Sequence, residues 1–360
     1  MSINKKYISI LSIAIAMLLS ACSSDNPEVQ TTSAEDKSVG DKIQIMAYAP
    51  PFANANPQDA APTGFTAYTL DKVTEMGFYM IKNDDTTPYA EKRLRYASKW
   101  FAFFKVEAQK NYTVYGYIPK AEGMTSSLSN VTTGGATLTI NGIKPVTDDD
   151  ICIITGVKDT NTGLKEGQFG WYMANANDNF YMYLLLDHIY ASVNFSMIID
   201  AEYAQLRTIK LKTMKLKTNT GSIDATITLT HNDTGASPVS DVTYTASSSS
   251  DEGSSDEGSS DGIIIFNSAE GIALDTETPL VINTCFAPNL SNNLTMVTTY
   301  DVYDRKGNLI RKNCTATNKV PNLEAARAQQ VQLNLTVNPT YLNVLSDPDL
   351  DNPTVKGKKE

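Results

Sequence analysis

Side chains that could carry catalytic or metal chemistry are few and widely spaced in this sequence. The two histidines are His188 and His231, which leaves little for a Ser/His/Asp triad or a zinc site. His188 lies in an apolar, aromatic run, where a hydrogen-bonded, partly buried side chain is a better interpretation than a catalytic base. Carboxylates are plentiful, but nothing in their spacing singles out a glycosidase pair. We therefore predict no catalytic residue, no metal ligand, no cofactor and no enzymatic activity.

One cysteine, Cys22, does stand in a pattern that implies chemistry. Two lysines precede an apolar run over residues 8–19, which is the order of a secretory signal peptide and is too short to span a bilayer as a mature helix. Residues 18–22 resemble the lipobox of bacterial lipoproteins, in which the signal is cut before the cysteine and the thiol is acylated. An ordinary signal peptide with an incidental cysteine is the alternative. We predict a signal peptide over residues 1–21 and a lipid on Cys22 that tethers the protein to the cell envelope by its N-terminus.

The composition restricts the partners. The net charge is −10, which argues against nucleic acid because phosphate binding needs clustered lysine and arginine. No segment after residue 21 has the length and apolarity of a transmembrane helix, so the lipid is expected to be the sole membrane attachment. The chain that remains is long enough for two domains of ordinary size.

Three cysteines remain in what should be an oxidising compartment, namely Cys152, Cys285 and Cys314. Cys285 and Cys314 lie in two strand-like runs and could pair across a sheet. Alternatively, all three are small buried hydrophobic side chains, and this interpretation is favoured.

The first half of the chain has the pattern of a β-protein. Residues 22–40 are polar and aperiodic and are predicted to form a disordered tether. In residues 41–49, Ile43, Ile45 and Ala47 alternate with Gln44 and Met46, which predicts a short strand. After a proline-rich linker, aromatic and β-branched runs predict further strands over residues 73–81, 100–104, 112–118, 151–157 and 171–186. Short strands at this spacing are typical of a sandwich or a barrel.

The second half continues this pattern from residue 187. In residues 207–217 the apolar residues change parity, which predicts a β-bulge, and the interleaved lysines are predicted to line the outer face and to discourage edge pairing. The acidic, serine- and glycine-rich stretch 246–262 cannot form a core and is predicted to be a surface loop. The local predictions are a turn at Gly134-Gly135, a turn at Asn141-Gly142, a hairpin turn at 305–308, one or two helical turns at 323–330 and a regular strand at 331–337.

A group of aromatic residues in the first half could form a platform for sugar rings: Trp171, Tyr172, Phe180, Tyr181 and Tyr183. Aromatic side chains in half-buried strands usually pack inside, so a role in the core is the favoured interpretation. An exposed platform would support an alternative function, that of a surface glycan-binding β-sandwich lipoprotein.

The order of these parts resembles the fimbrillin family of Bacteroidota, the subunits of type V pili, over nearly all of the mature length. The lipobox, the strand over 41–49, the proline-rich loop and a strand over 72–81 follow one another as in the family. The aromatic strand before Pro119 and the segment 188–198 also resemble family segments. The closest match is the run 341–353, which resembles the C-terminal appendage of Bacteroides members.

The resemblance implies an all-β fold of two tandem β-sandwich domains, transthyretin-like or Greek-key, over residues 41–186 and 187–338, with an appendage over 339–360. It also implies assembly by β-strand exchange, in which a protease removes the lipid, the tether and the first strand, and the opened groove accepts an extended segment of the next subunit. The residues implied in this exchange are Ile43, Ile45 and Ala47 of the first strand and Tyr341, Leu342, Val344 and Leu345 of the incoming segment.

The implied function is that of a structural or adhesive subunit of a cell-surface fimbrium. The implied partners are other pilus subunits in a homo- or heteropolymer, the outer membrane through the lipid, and host or bacterial surface glycans or proteins. A head-to-tail contact of this kind propagates into a fibre.

One departure from the family generates a prediction. The family's cut commonly follows an arginine in the loop after the first strand, but residues 50–70 contain neither arginine nor lysine. Either another protease acts, or this subunit keeps its first strand and its lipid, as an anchoring or accessory subunit would. The absent basic residue favours retention or an unidentified protease. If the first strand is retained, mass spectrometry of the surface-exposed protein should find acylated Cys22 at its N-terminus. An N-terminal residue beyond Ala49 would show instead that another protease removes the strand.

Overall fold

The computed structural model describes residues 41–54, 64–68, 74–83, 92–96, 100–104, 106–107, 109–172, 180–218, 220–247, 262–288, 294–320, 323 and 325–337. The signal peptide, Cys22, the tether, most of the low-complexity stretch and the appendage lie outside these ranges. Strands dominate the described residues, so the predicted all-β fold is confirmed. Within the same ranges, no helix has the length and apolarity that crossing a membrane requires.

Twenty-two strands and one short helix follow one another along the described residues. The first half contains β1 Asp41–Ala49, β2 Ala53–Asn54, β3 Thr66–Ala67, β4 Thr74–Lys82, β5 Lys92–Tyr96, β6 Trp100–Phe104, β7 Asn111–Ile118, β8 Thr125–Thr132, β9 Gly135–Ile143, β10 Val146–Thr147, β11 Cys152–Lys158, β12 Gly170–Tyr172 and β13 Phe180–His188. The second half contains β14 Ala191–Ile199, α1 Ala201–Ala204, β15 Thr208–Lys217, β16 Ile223–Thr230, β17 Val239–Ala246, β18 Ile263–Ala273, β19 Leu280–Phe286, β20 Thr295–Tyr303, β21 Leu309–Lys319 and β22 Gln329–Val337.

The first sheet closes on itself and is called the ring sheet below. Its strand order is β11-β13-β1-β6-β5-β4-β7, and β7 pairs again with β11, so seven strands form a ring to which the short strands β12 and β3 are added. Alternate side chains point into one apolar core, which includes Ile43, Met76, Val114, Ile154 and Met182. This alternation is the period-2 pattern that predicts strands in the sequence.

The second half packs two sheets against one apolar core. One sheet has the order β10-β19-β14-β22-β2 and the other the order β18-β15-β20-β21. The side chains in the core include Val193, Phe195, Leu211, Met214 and Ile282. Two short strands of the first half, β2 and β10, belong to the first of these sheets, so the halves share main-chain hydrogen bonds.

A fourth sheet is built from both halves. Its order is β17-β16-β9-β8, and Ile227 of β16 lies opposite Leu138 of β9. It packs on Tyr79, Tyr115 and Tyr117 of the ring sheet, whose side chains point away from the core of the ring. This third apolar cluster, called the shared core below, joins the halves, while the division into two domains between residues 186 and 187 stays a prediction.

The predicted β-bulge is confirmed in β15. The register to both neighbouring strands shifts between Leu211 and Thr213, and the buried side chains change parity there. The interleaved lysines are half-buried, in alternation with the core residues. Their predicted role against edge pairing is wrong, because β15 is an interior strand between β18 and β20.

Two local predictions are wrong. Asn141-Gly142 is not a turn, since both residues lie inside β9, where Gly142 has a φ of +75° and its N–H donates to the Asp224 carboxylate at 3.1 Å. Glycine adopts a positive φ without steric cost, so the pair forms a bulge where the register to β16 shifts. The described residues at 323–330 form no helix, and the chain enters β22 at Gln329 instead.

The remaining turns and the cysteines agree with the predictions. Hairpins are confirmed at Gly134-Gly135, between β8 and β9, and at 305–308, between β20 and β21. Cys152, Cys285 and Cys314 are all free, and the first two are buried. The favoured interpretation of buried, unpaired cysteines is thus confirmed for these two, whereas Cys314 is only half-buried.

The shared core generates a prediction about coupling between the halves. Ile227 is fully buried in it, whereas the next residue, Thr228, is exposed. Replacing Ile227 with Ala leaves a cavity, and we expect the free energy of unfolding to fall by about 2–5 kcal/mol. Both tryptophans of the chain, Trp100 and Trp171, lie in the first half. The urea midpoint seen by tryptophan fluorescence should therefore fall, although the substitution is in the second half.

The matched control is Thr228→Ala on the same strand. It should change the free energy of unfolding by less than about 0.5 kcal/mol, because an exposed side chain leaves no cavity. If Ile227→Ala lowered the midpoint by circular dichroism but left the fluorescence midpoint unchanged, the halves would unfold independently.

Candidate functional site

Strand β1 lies in the interior of the ring sheet. It runs parallel to β13, with Ile43 opposite Phe180 and Tyr48 opposite Leu185. On its other edge it runs antiparallel to β6, with Ile43 opposite Ala102. Both edges of β1 therefore carry main-chain hydrogen bonds, and its removal would leave a gap between β13 and β6.

The first-strand residues implied in exchange face the core of the ring sheet. Ile43, Ile45 and Ala47 are 0%, 2% and 5% exposed, and they belong to the same cluster as Met182 and Leu184 of β13. Burial of each isoleucine contributes about 1.5–3 kcal/mol to stability. These residues thus fill a groove between β13 and β6, while their exchange stays a prediction. The incoming residues Tyr341, Leu342, Val344 and Leu345 lie outside the described residues.

The chain just after β1 is held by His188, at the end of β13. A carbonyl oxygen can only accept, so Nε2 of His188 carries a hydrogen and donates to the Pro50 carbonyl at 2.7 Å. Nδ1 lies 2.6 Å from Oδ2 of Asp150, and the ring stacks on Phe52 with 3.9 Å between centroids. The interpretation of His188 as a hydrogen-bonded side chain is confirmed, and at 4% exposure it is buried.

The surroundings of His188 favour its charged form. Burial lowers the pKa of His188, but the hydrogen bond to Asp150 and the charge of that carboxylate outweigh burial and raise the pKa above its ordinary value. The main chain is fixed as well, because the His188 N–H donates to Asp187 and its carbonyl accepts from Arg327, both at 2.8 Å. Asp187 and Arg327 form an ion pair at 2.5 Å.

Cys152 completes a cluster around this imidazole. It lies directly opposite His188 in the β11–β13 pairing, and its Sγ is 3.2 Å from Oδ2 of Asp150 and 3.5 Å from Nδ1 of His188. A carboxylate, a thiol and an imidazole thus bring their ligand atoms within 4.8 Å of one another, close enough to hold a metal ion. The presence of two histidines alone does not predict this cluster, which needs one histidine, one cysteine and one aspartate. The signal in the sequence is the spacing of two between Asp150 and Cys152, which puts both on one face of an extended chain.

An apolar groove opens in the second half between β21 and β22. β21 is the last strand of its sheet, and beyond Gln330 the described part of β22 pairs with β14 alone. The groove has a volume of about 700 Å³, and Phe195, Leu211, Leu333 and Leu335 are among the residues that line it. The predicted alternation of β22 is confirmed, but its apolar residues are half-buried rather than buried.

The aromatic group of the first half divides between core and surface. Trp171 is 1% exposed and its Nε1 donates to the Tyr181 carbonyl at 3.0 Å, so a role in the core is confirmed for it. The same interpretation is wrong for Tyr172 and Tyr181, which are 43% and 37% exposed, because alternate residues of β12 and β13 point to opposite faces. Tyr183 is half-buried, and the side chain of Phe180 lies outside the described residues.

No family model and no curated protein matches this chain. A protein of Bacteroides ovatus, provisionally assigned as a cell adhesion protein, aligns with 12% identity over 84% of this chain and 94% of its own, with a TM-score of 0.38. A fimbrial protein of Bacteroides vulgatus aligns with 13% identity over 83% of this chain and 96% of its own, with a TM-score of 0.35. At these identities and scores the similarities carry no inference about this chain.

The groove around β1 generates a prediction. Replacing Ile45 with Asp puts an unpaired carboxylate into the core of the ring sheet, which costs several kcal/mol. We expect β1 to detach, so hydrogen–deuterium exchange should become faster in β13 and β6, the long strands on its two edges.

The matched control is Gln44→Asp, which introduces the same side chain one residue earlier, at a half-buried position on the opposite face of β1. Exchange in β13 and β6 should then stay close to that of the parent. Equal effects of the two substitutions would contradict the inference that one face of β1 fills the groove.

Proposed function

We propose that this chain is a fimbrial or adhesive subunit of the cell surface, that its ring sheet can accept an extended segment of a neighbouring subunit if β1 is removed, and that it has no enzymatic activity. The observation that carries this proposal is the position of β1, which is an interior strand of a closed sheet and is paired with β13 on one edge and with β6 on the other. The resemblance of the sequence to the fimbrillin family, from the lipobox at Cys22 to the appendage, supports the same function.

Loss of β1 would open a groove with two acceptor edges. The N–H and C=O groups of β13 and β6 that now bond to β1 would lose their partners. Apolar surface would be exposed where Ile43 and Ile45 are now buried. An extended segment with apolar residues at alternate positions would restore both the main-chain hydrogen bonds and the apolar contacts.

The C-terminal segment implied by the family resemblance has this pattern. Leu342 and Val344 are two residues apart and would share one face of an extended chain, as Ile43 and Ile45 do in β1. The groove and this segment are different parts of the chain, so their contact is head-to-tail. Contacts of this type propagate into a fibre, whereas an isologous contact closes into a dimer.

The contacts beyond β1 support a subunit that keeps its first strand. His188 holds both Pro50 and Phe52, and β2 and β3 add main-chain pairs on the same stretch of chain. Residues 50–70 also lack the lysine or arginine at which a trypsin-like protease would cut. We therefore infer an anchoring or accessory role, with the lipid on Cys22 holding the subunit in the outer membrane. In an adhesive role, Tyr172 and Tyr181 are exposed aromatic side chains that could contact surface glycans or proteins.

The proposal is tested with the chain carrying a specific protease site between Pro57 and Pro62. After cleavage, heat-resistant multimers should appear on a denaturing gel, and deletion of residues 340–360 should abolish them while the monomer stays folded. Val344→Asp should abolish them as well, because a carboxylate in an apolar groove costs several kcal/mol.

Asn343→Asp is the matched control, since it introduces the same side chain on the opposite face of the extended segment. It should leave the multimers unchanged. Multimers that persist in Val344→Asp or in the deletion variant would exclude this segment as the incoming strand. The absence of multimers after cleavage of the parent chain would count against strand exchange itself.

A further inference from the structure

Three different ligand groups meet at one end of the β11–β13 pair. Asp150 and Cys152 share a face of an extended chain, and Cys152 lies directly opposite His188. Their ligand atoms all lie within 4.8 Å of one another. We propose that Asp150, Cys152 and His188 form a binding site for a divalent transition-metal cation of the Zn²⁺ type.

The sulfur is already placed for tetrahedral coordination. With Zn–S bonds of about 2.3 Å and Zn–N or Zn–O bonds of about 2.0–2.1 Å, tetrahedral ligand atoms lie about 3.3–3.6 Å apart. Sγ of Cys152 is 3.5 Å from Nδ1 of His188 and 3.2 Å from Oδ2 of Asp150. Nδ1 and Oδ2 are 2.6 Å apart and must separate by less than about 1 Å. Small side-chain rotations are enough to admit the cation.

His188 is oriented as metal-binding histidines are. Such a histidine commonly donates its second ring N–H to a carbonyl or carboxylate, which fixes the tautomer and directs the other nitrogen to the metal. Here Nε2 donates to the Pro50 carbonyl, so Nδ1 faces Asp150 and Cys152. When the cation binds, the proton of the thiol and any proton held between Nδ1 and Oδ2 are released to solvent, and the thiolate, Nδ1 and Oδ2 bond to the metal instead.

The donor set and its exposure favour zinc over calcium or magnesium. Thiolate and imidazole are ligands of zinc and related metals, whereas calcium and magnesium prefer oxygen ligands alone. The side chain of Asp150 is 23% exposed and that of His188 is 6% exposed, so a cation would enter past Asp150. Oδ1 of Asp150 is buried and has no hydrogen-bond partner among the described residues, so this oxygen is available as the fourth ligand.

A cation at this site would connect three strands. Cys152 and His188 belong to β11 and β13, and His188 also holds the Pro50 carbonyl directly after β1. A bound metal would therefore oppose detachment of the end of β1. Binding itself does not depend on whether the subunit polymerises, so the two proposals can fail separately.

The test is a titration of the full mature chain, reduced and freed of metal by a chelator, with Zn²⁺ and with Co²⁺. One equivalent of Zn²⁺ should bind, and Co²⁺ should produce a thiolate-to-cobalt charge-transfer absorption. Cys152→Ser and His188→Gln should each weaken Zn²⁺ binding by at least about tenfold. Cys152→Ser should also abolish the cobalt absorption, because the absorption requires the sulfur ligand.

Cys314→Ser and His231→Gln are the matched controls, since they make the same substitutions at a cysteine and a histidine outside the cluster. Both should bind Zn²⁺ as the parent does. Binding that survives in both Cys152→Ser and His188→Gln, or that is lost in Cys314→Ser, would overturn the proposal.

A measurement on the parent chain alone covers the case in which a variant fails to fold. Zn²⁺ should slow hydrogen–deuterium exchange in segments that contain residues 47–52 and 150–154, and it should leave β18, β20 and β21 unchanged. A folded parent that shows neither the cobalt absorption nor this local protection would refute the site.

Discussion

The N–H and C=O groups of an interior strand must be paired on both edges, and β1 meets this requirement between two strands that are distant from each other in sequence. Among the described strands, β13 and β6 are joined through β1 and through no direct pairing of their own. The ring sheet is therefore closed by the first described strand of the chain. The core that Ile43 and Ile45 help to fill also depends on this strand. Removing β1 would therefore break main-chain hydrogen bonds and expose apolar surface at the same place.

Both ends of the described chain contact residues 187–190, which are the end of β13 and its connection to β14. β1 runs parallel to β13, and β22, the last described strand, runs parallel to β14. The side chain of His188 holds the chain after β1, and Arg327, just before β22, bonds to Asp187 and to the carbonyl of His188. β2 then pairs with the first residues of β22. Contacts to the first and last described strands thus converge on residues 187–190. The end of β1 therefore lies close to the start of β22.

The sequence predicts those features of the fold that depend on local alternation. The strands β1, β7 and β22 follow from period-2 patterns, and the bulge in β15 follows from the parity change between Leu211 and Met214. Features that depend on pairing partners are not accessible in this way. Asn141-Gly142 has the composition of a turn, yet pairing with β16 on one side and β8 on the other keeps both residues inside a strand. Residues 323–330 are predicted to make helical turns, but the side chain of Arg327 bonds to Asp187 and the N–H of Ala328 donates to the Tyr190 carbonyl, and the described residues there form no helix.

Strand pairing, which local alternation does not reveal, also decides the geometry of the candidate site. The alternation of Ile43, Ile45 and Ala47 predicts a strand with one apolar face, but not that the strand is interior or parallel to β13. The cluster of Asp150, Cys152 and His188 depends on the register of β11 against β13, and a slip of one residue would turn Cys152 to the other face. Trp171 and Tyr172 are equally aromatic in sequence, and only the direction of the pleat decides that one is buried and the other exposed.

The proposed exchange requires that β1 can leave the ring sheet after a cut in the chain that follows it. In the part of the chain that the structure describes, residues 50–54 continue directly from β1, whereas β4, β13 and β14 each lie between other strands in sequence. A single cut in that connection would free β1 without unthreading the rest of the sheet. The side chains that leave the core are two isoleucines and two alanines, so the groove is narrow and suits an extended segment better than a helix. In the proposed exchange, the contacts just beyond β1 oppose its release. There His188 holds Pro50 and Phe52, and these contacts must break before β1 can leave by a cut beyond Phe52.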